Sequence, residues 1–296
     1  MMAGNEVKIQ SYESAIKYLQ ANPDTHKPDS EVYSLVEESL KKIGVSEVLR
    51  ANLEDTNFSF VGLRKFRVIF PFLQMGSVNT VDLLRVDELV MFAYYDKYID
   101  GYEVFFDLGA NVGLHSLVVA ALDTKVIAYE PDEKHFGILK NNVKLNGLKN
   151  IECRNAAIGT INGDVQFIRV LGNTTSSHIK GEKANPYGEL EEFTVRCDEL
   201  NSQLTPYKRS LLKIDIEGME AKLIQSISKF NWQKVDAFVE VGTMDNAKLI
   251  FEYCKDVGLK IYTQQSGWAK ISDVSEMPIN YRGGSIFLTF SQMKWN

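Results

Sequence analysis

Three groups of residues in this chain have types and spacings that could do chemistry. The first is Asp107-Leu108-Gly109-Ala110-Asn111-Val112-Gly113, which follows a short apolar run and precedes an apolar helical stretch. Gly109 lets the backbone turn sharply and approach a ligand closely, and Gly113 permits tight strand–helix packing. The helix that follows offers free N–H groups and positive potential to an anion. The second group is Glu130-Pro131, 23 positions after Asp107 at the tip of the next predicted strand. In a βαβ unit an acid at that place reaches a ribose and accepts hydrogen bonds from both hydroxyls. Pro131 would lay an apolar face against an adenine, and Asn155-Ala156, ending the third predicted strand, would reach its edge. The third group is Lys213, Asp215 and Glu217 at the end of a fourth apolar run.

Two cofactors compete for the first two groups. A nicotinamide dinucleotide uses the same geometry but prefers G-x-G-x-x-G; here position 111 is Asn and the glycines stand four apart, so that fingerprint is not met. In a methyltransferase the anion at the helix start is the methionine carboxylate of S-adenosylmethionine, and Asp107 takes the ammonium group, directly or through water. The plainer alternative is that Asp107 and the glycines only shape a tight turn and that Glu130 caps the next helix.

The third group would then face the reacting methyl. Period two puts Lys213, Asp215 and Glu217 on one side while the strand lasts, with Ile214 and Ile216 opposite. Ligands of such sheets bind at the carboxyl ends of strands, so Asp215 and Glu217 should edge the cleft. Methyl transfer is an in-line displacement that needs the acceptor aligned, and an alcohol acceptor gains from a base. Asp215 is the first candidate for that base or for orienting the hydroxyl. Lys213 either holds Asp215 in place or acts as base if burial lowers its pKa. Glu217 either binds substrate or supplies negative charge to the next helix start. A structural ion pair at a strand end is the alternative for all three. His115, in the first turn after Gly113, is a second candidate base or a packed capping residue. His178 is a weaker one. Glu240, ending the fifth strand, could touch substrate. A metal shared by Asp215, Glu217 and Glu240 is a minor alternative without His or Cys ligands, and no metal site is expected.

The elements that must position these groups follow from periodicity. Strands are expected at 103–108, 125–129, 151–155, 211–216, 236–241, 260–264 and 285–290, and helices at 114–122, 133–146, 220–227 and 246–257. Their alternation predicts an α/β, Rossmann-like class I methyltransferase fold: a mainly parallel sheet with helices on both faces, one of the last two strands running antiparallel. Between the third and fourth strands the rhythm breaks. Residues 166–170 and 193–196 read as extra strands around a polar segment, 172–192, that holds Thr174, Thr175, Ser176, Ser177 and His178, a lid or a plain surface loop. Before residue 101 the pattern is different. It suggests helices at 12–21, 31–43 (closed by Gly44) and 86–98, and a hairpin within 58–72. The expected organisation is an N-terminal helical and mixed cap or arm over 1–100, then a catalytic domain over 101–296 with an insertion at about 160–200.

With these motifs in place, the chain resembles the FkbM-type methyltransferases. DLGANVGLHSL, AYEPDEKHFGILKNNVKLNG, NAAIG and LLKIDIEGMEAKLI carry the resemblance, with VEVG at Val239–Gly242, over roughly residues 101 to 242. It implies a class I fold, S-adenosylmethionine as donor and transfer to oxygen, in a family whose acceptors are often sugar or polyketide hydroxyls. The first hundred residues lie outside it, so the acceptor does not carry over.

Composition narrows the partners. With 45% hydrophobic and 24% charged residues the chain reads as an ordinary globular protein able to bury a core. A net charge of −6 and a pI of about 5.4 weigh against a phosphate-backbone binder, and no basic stripe is seen. Cys153, Cys197 and Cys254 form no CxxC pair and fit a reducing compartment. There is no secretory signal and no membrane span, so the expectation is a cytoplasmic enzyme with a small-molecule or carbohydrate acceptor. Two alternatives remain. A ribose methyltransferase is faintly echoed by Lys213 and Asp215; the base-modifying NPPY motif is absent after the fourth strand, and Asn185-Pro186-Tyr187 lies before it. The other is a non-catalytic binding module that kept the fold.

Overall fold

The structure, a computed structural model, describes residues 9–53, 59–61, 67–76, 78–171, 173, 176–183 and 188–295. Thr174, Thr175 and Asn185-Pro186-Tyr187 lie outside the described residues.

Apolar runs of about five residues with both faces buried make the central sheet. Its strands are β1 (Val104–Leu108), β2 (Lys125–Tyr129), β3 (Ile151–Arg154), β8 (Ser210–Ile214), β9 (Val235–Glu240), β10 (Lys260–Thr263), β11 (Ala269–Lys270) and β12 (Ser285–Thr289). The spatial order is β11-β10-β12-β9-β8-β1-β2-β3. Strands β3, β2, β1, β8 and β9 are parallel, and β12 inserts antiparallel between β9 and β10. Alternate residues feed two cores. Phe105, Leu211, Phe238 and Phe287 face one; Val104, Phe106, Leu212, Ile214 and Val239 face the other. The second face is covered by α7 (Glu220–Ser226) and α9 (Met244–Val257), whose Leu223, Ile224, Ala247 and Ile250 are buried there.

The first face is shared. Helices α4 (Leu114–Ala121) and α5 (Glu133–Leu145) meet α1 (Tyr12–Ala21), α2 (Glu31–Leu53) and α3 (Val86–Tyr98) in one continuous core. Tyr94 and Tyr95 of α3 sit edge-on to Phe238 and Phe105, with ring centroids 5.0 and 5.2 Å apart. The expected cap is thus packed directly on the sheet. Helix α2 runs through Gly44 instead of ending there. A Cβ at Gly44 would stand 2.4 Å from Val81 Cγ1, so the glycine serves close packing in mid-helix. Part of the expected hairpin is present as antiparallel Ser59–Val61 and Arg67–Ile69; Phe58 and residues 62–66 lie outside the described residues.

The insertion builds a second sheet. Strands β4 (Ala157–Gly159), β5 (Gly163–Val170), β6 (His178–Ile179) and β7 (Leu190–Glu199) stand in the order β6-β5-β7-β4, leading through α6 (Leu200–Leu204) into β8. Both extra strands expected here are longer than the local pattern suggested, because they pair with each other along eight residues. A short helix α8 (Lys229–Trp232) precedes β9. No described helix is long and apolar enough to cross a membrane.

Candidate active site

The turn after β1 is braced by its neighbours. The N–H groups of Gly109 and Ala110 both donate to the Tyr129 carbonyl, at 3.2 and 2.8 Å, and that of Gly113 donates to the Ala110 carbonyl at 2.8 Å. These turn groups are therefore committed within the protein; the free N–H groups expected here belong to the first turn of α4, after Gly113. Gly109 has φ +81°, and a Cβ there would lie 1.9 Å from the Asp215 carbonyl oxygen. What approaches this glycine is the end of β8. A Cβ on Gly113 would meet Leu139 of α5 at 2.3 Å, so that glycine allows helix–helix packing. Asp107 is fully buried. Its Oδ2 accepts from Ser116 Oγ at 2.6 Å, and its Oδ1 has no hydrogen-bond partner among the described residues.

Glu130 sits beyond the tip of β2, buried. Its Oε2 accepts the Asn111 N–H at 2.8 Å and its Oε1 the Asp132 N–H at 2.8 Å. Burial pushes its pKa up to about 8, against the pull of those two N–H groups. Asp132 caps α5 by accepting from the Lys134 and His135 N–H groups. Arg169 of β5 grips it, Nε to Oδ2 at 2.5 Å and Nη2 to Oδ1 at 3.0 Å, with both side chains almost wholly buried. Burial raises the Asp132 pKa, but Arg169 and the helix N–H groups outweigh it and hold the carboxylate below its usual range. Asn155 turns its amide onto the Glu130 and Pro131 carbonyls, at 2.9 and 3.1 Å. It fastens the loop from behind, and it is Ala156 that lines the cleft.

That cleft holds about 510 Å³. Gly109, Asn111, Glu130, Pro131, Ala156 and Asp215 line it, with Phe167, Ser176, Ser177 and Ile179 of the insertion on another wall. At its inner end lies an ionic cluster. Lys213 Nζ donates to Asp215 Oδ2 at 3.0 Å, and Asp215 is hydrogen-bonded to Glu240. Burial works to lower the Lys213 pKa, but Asp215, Asp107 and Glu88 raise it above the ordinary value. The condition for Lys213 to act as a base is therefore not met. Burial would raise the Asp215 pKa, yet Lys213 and Glu240 bring it below the usual range, while burial and Asp215 push Glu240 well up. The pair shares one proton, and the Lys213 ammonium beside Asp215 favours its ionised form. Asp215 keeps 31% of its side chain accessible, so a ligand can reach it.

A methyltransferase FkbM domain profile matches residues 107–259, just over half of the chain. The chain belongs to the FkbM methyltransferase family. It is similar to methyltransferase sdnD of Sordaria araneosa, 25% identical, over 66% of this chain and 95% of that one. It is also similar to hexuronic acid methyltransferase AglP of Haloferax volcanii, 25% identical, over 51% of this chain and 62% of that one. The solved METTL16 MTase domain aligns with a TM-score of 0.43 at 13% identity, over 86% of this chain and 81% of that one. The α/β fold described above, with its mostly parallel sheet and helices on both faces, is that of a class I methyltransferase, and S-adenosylmethionine is the methyl donor of this FkbM-family enzyme.

Two expectations for the site change. Strand β8 ends at Ile214, so alternation does not carry to residue 217. Glu217 still lines the cleft as expected, but it takes φ 60°, and its carboxylate meets Lys183 of the insertion at 2.5 Å. Ile216, expected on the far face, lines the cleft. Glu220 holds this turn by accepting the Ile216 and Gly218 N–H groups at 3.2 and 3.0 Å. His115 has both ring nitrogens engaged: Nε2 lies 2.6 Å from Glu88 Oε2, and Nδ1 lies 3.1 Å from the Tyr95 hydroxyl. It lines neither the cleft nor the pocket beside it.

That second pocket, about 200 Å³, opens next to the cleft and shares Asp215 and Glu240 with it. Asp82, Arg85, Asp87 and Glu88, at the start of α3 and just before it, form one side. Sequence reasoning missed these residues, together with Arg169, Lys183 and Glu220. The only signal within reach was the acidic pair Asp87-Glu88 opening an aromatic-rich helix, which reads equally well as an ordinary helix start.

Proposed function

We propose that this enzyme transfers the methyl group to a hydroxyl of a sugar, a glycan unit or a small metabolite. The observation that carries the proposal is the Lys213–Asp215–Glu240 cluster, which stands where the cofactor cleft and the second pocket meet. The residues of the cleft fit the donor. The Glu130 oxygens each accept one N–H and keep lone pairs for the ribose hydroxyls. Pro131 and Ala156 give the adenine an apolar border, and Asn111 forms the adjoining wall. Asn111 lines the cleft, and its buried Oδ1, without a partner among the described residues, is an acceptor in want of a donor, as the ammonium end of the cofactor would supply; Asp107, fully buried, lines neither pocket.

Bound S-adenosylmethionine supplies an electrophilic methyl on a sulfonium. The protein aligns the acceptor oxygen with it and removes a proton. Lys213 donates to Asp215 and favours its ionised form, so its remaining lone pairs can orient the acceptor hydroxyl. Asp215 would take up the proton that the acceptor hydroxyl gives up on methylation. Lys213 fixes Asp215 in place, and His115 acts one step removed by holding Glu88. The Haloferax volcanii relative is named for hexuronic acid, a hydroxyl-rich ring, which supports a carbohydrate-type acceptor.

Calorimetric titration with S-adenosylhomocysteine, with NADH as control, should show binding of the first alone. Asp215→Asn should then lose at least about 100-fold in methyl transfer, the usual worth of a general base, while S-adenosylhomocysteine affinity changes little. Full activity in that variant removes Asp215 from the mechanism.

A further inference from the structure

We propose that the pocket beside the first turn of α3 is the acceptor site and that it selects by charge. It admits a compact hydroxylated ring that is neutral or carries an amine, and it turns away carboxylates and phosphates. The proposal rests on the hydroxyl-methylation reading above. Because the pocket shares Asp215 and Glu240 with the cleft, a hydroxyl entering from its side meets the carboxylate that also faces the donor. Its volume of about 200 Å³ suits one small ring and leaves no room for a nucleotide with its phosphates.

The walls explain the selection. Met91 and Phe238 offer apolar surface to the carbon face of a ring, and carboxyl groups accept from its hydroxyls. Asp82, Asp87, Glu88 and the Asp215–Glu240 pair, with one proton between them, stand against two cations, Arg85 and Lys213. Each cation is already paired with a carboxylate, and Arg85 keeps about half of its side chain exposed. Lys213 is bonded to Asp215 at 3.0 Å, and Arg85 Nε to Glu37, outside the pocket, at 2.6 Å. The acids are fixed in place by neighbours. Asp87 accepts from the Tyr33 hydroxyl at 2.8 Å and from the Gln264 amide at 2.7 Å, and Glu88 lies against His115. An added anion would therefore face a surplus of acids over two cations that already have carboxylate partners, the arrangement by which a site rejects a competitor. The short helical turn Asp82–Leu84 and the first turn of α3 would then be the specificity-determining part of the N-terminal region.

Methyl glycosides of glucose, glucosamine and glucuronic acid share one ring and differ in charge. Saturation-transfer NMR reports their binding to the full chain, with and without S-adenosylhomocysteine, and labelled methyl donor reports turnover. The neutral and amino sugars should bind, and the glucuronide should bind at least about tenfold more weakly. Asp82→Asn and Glu88→Gln should each narrow that gap, and Asp82→Lys should close it, with S-adenosylhomocysteine affinity unchanged. Asp82 is exposed and accepts the Asn79 N–H at 2.8 Å, a bond that the amide oxygen of Asp82→Asn can keep, so that variant tests the idea with the turn intact. Preference for the glucuronide, equal binding of all three, no binding of any, or indifference to the Asp82 variants overturns the proposal. Failure to bind S-adenosylhomocysteine counts against the methyl-transfer reading instead, and the order of sugar binding without it still decides the charge selection.

Discussion

Replacing Arg169 by Met should unsettle the cofactor site from outside it. Arg169 and Asp132 expose 2% and 1% of their side chains. The substitution removes two hydrogen bonds to Asp132 and one to Glu191, and leaves the Asp132 carboxylate buried. Breaking a buried pair on one side costs about 3–5 kcal/mol. Asp132 keeps the Lys134 and His135 N–H groups, so the lower end, about 3 kcal/mol, is expected. For a chain of this length that is a fall in Tm of about 5 °C. The Asp132 N–H also holds Glu130 Oε1, so loosening the turn should weaken S-adenosylhomocysteine binding by about tenfold, or about 1.4 kcal/mol. Scanning calorimetry and titration calorimetry measure the two effects. Adding Asp132→Asn should recover most of the stability, because the stranded charge is gone. A single variant that melts within about 2 °C of the parent, or a double variant no better than the single, would refute the argument that an unpaired Asp132 is the source.

Two further outcomes follow from the same geometry. Glu130 is held mostly protonated at neutral pH by a pKa near 8, whereas ribose hydroxyls favour the ionised form. Cofactor binding should therefore release a proton, seen as a buffer-dependent enthalpy at pH 7, and affinity should rise as pH approaches 8. Linkage fixes the companion sign: a folded pKa raised above the unfolded value gives stability that is lost as pH rises through about 8 in the cofactor-free chain. Glu130→Gln should abolish both trends, and a buffer-independent enthalpy in the parent would count against them. Gly109→Ala should lower both cofactor affinity and turnover by about tenfold or more. Its Cβ meets the backbone oxygen of Asp215 at 1.9 Å, beyond the ~1–2 kcal/mol that a left-handed φ costs on its own. Gly147→Ala is the control, with φ +64° and nothing within 4 Å of the new carbon. Equal effects of the two substitutions would show that the approach to Asp215 does not matter.

The amino-acid sequence by itself determined the elements and the cofactor frame. Helices α1 and α3 and strand β2 occupy the residues their apolar periodicity marks out, because a helical stripe or a buried strand is written in local order. The spacing from Asp107 to Glu130 is legible for the same reason: one βαβ unit of fixed length brings both to the same edge of the sheet. What the tertiary structure decided are the pairings between distant segments. Arg169–Asp132, Lys183–Glu217 and His115–Glu88 join residues 37, 34 and 27 positions apart. None has a spacing signal, since each depends on how separate elements pack. Gly44 looked like a helix end because glycine commonly ends helices, and only the contact with Val81 shows it serving mid-helix packing. Alternation through Glu217 failed because β8 stops three residues earlier, where the chain bends over Glu220 and the insertion. The role of the N-terminal region was hidden for the most general reason. Its residues carry no motif, and they gain a chemical setting only when α3 packs on the sheet and brings Glu88 into one pocket with Asp215 and Glu240.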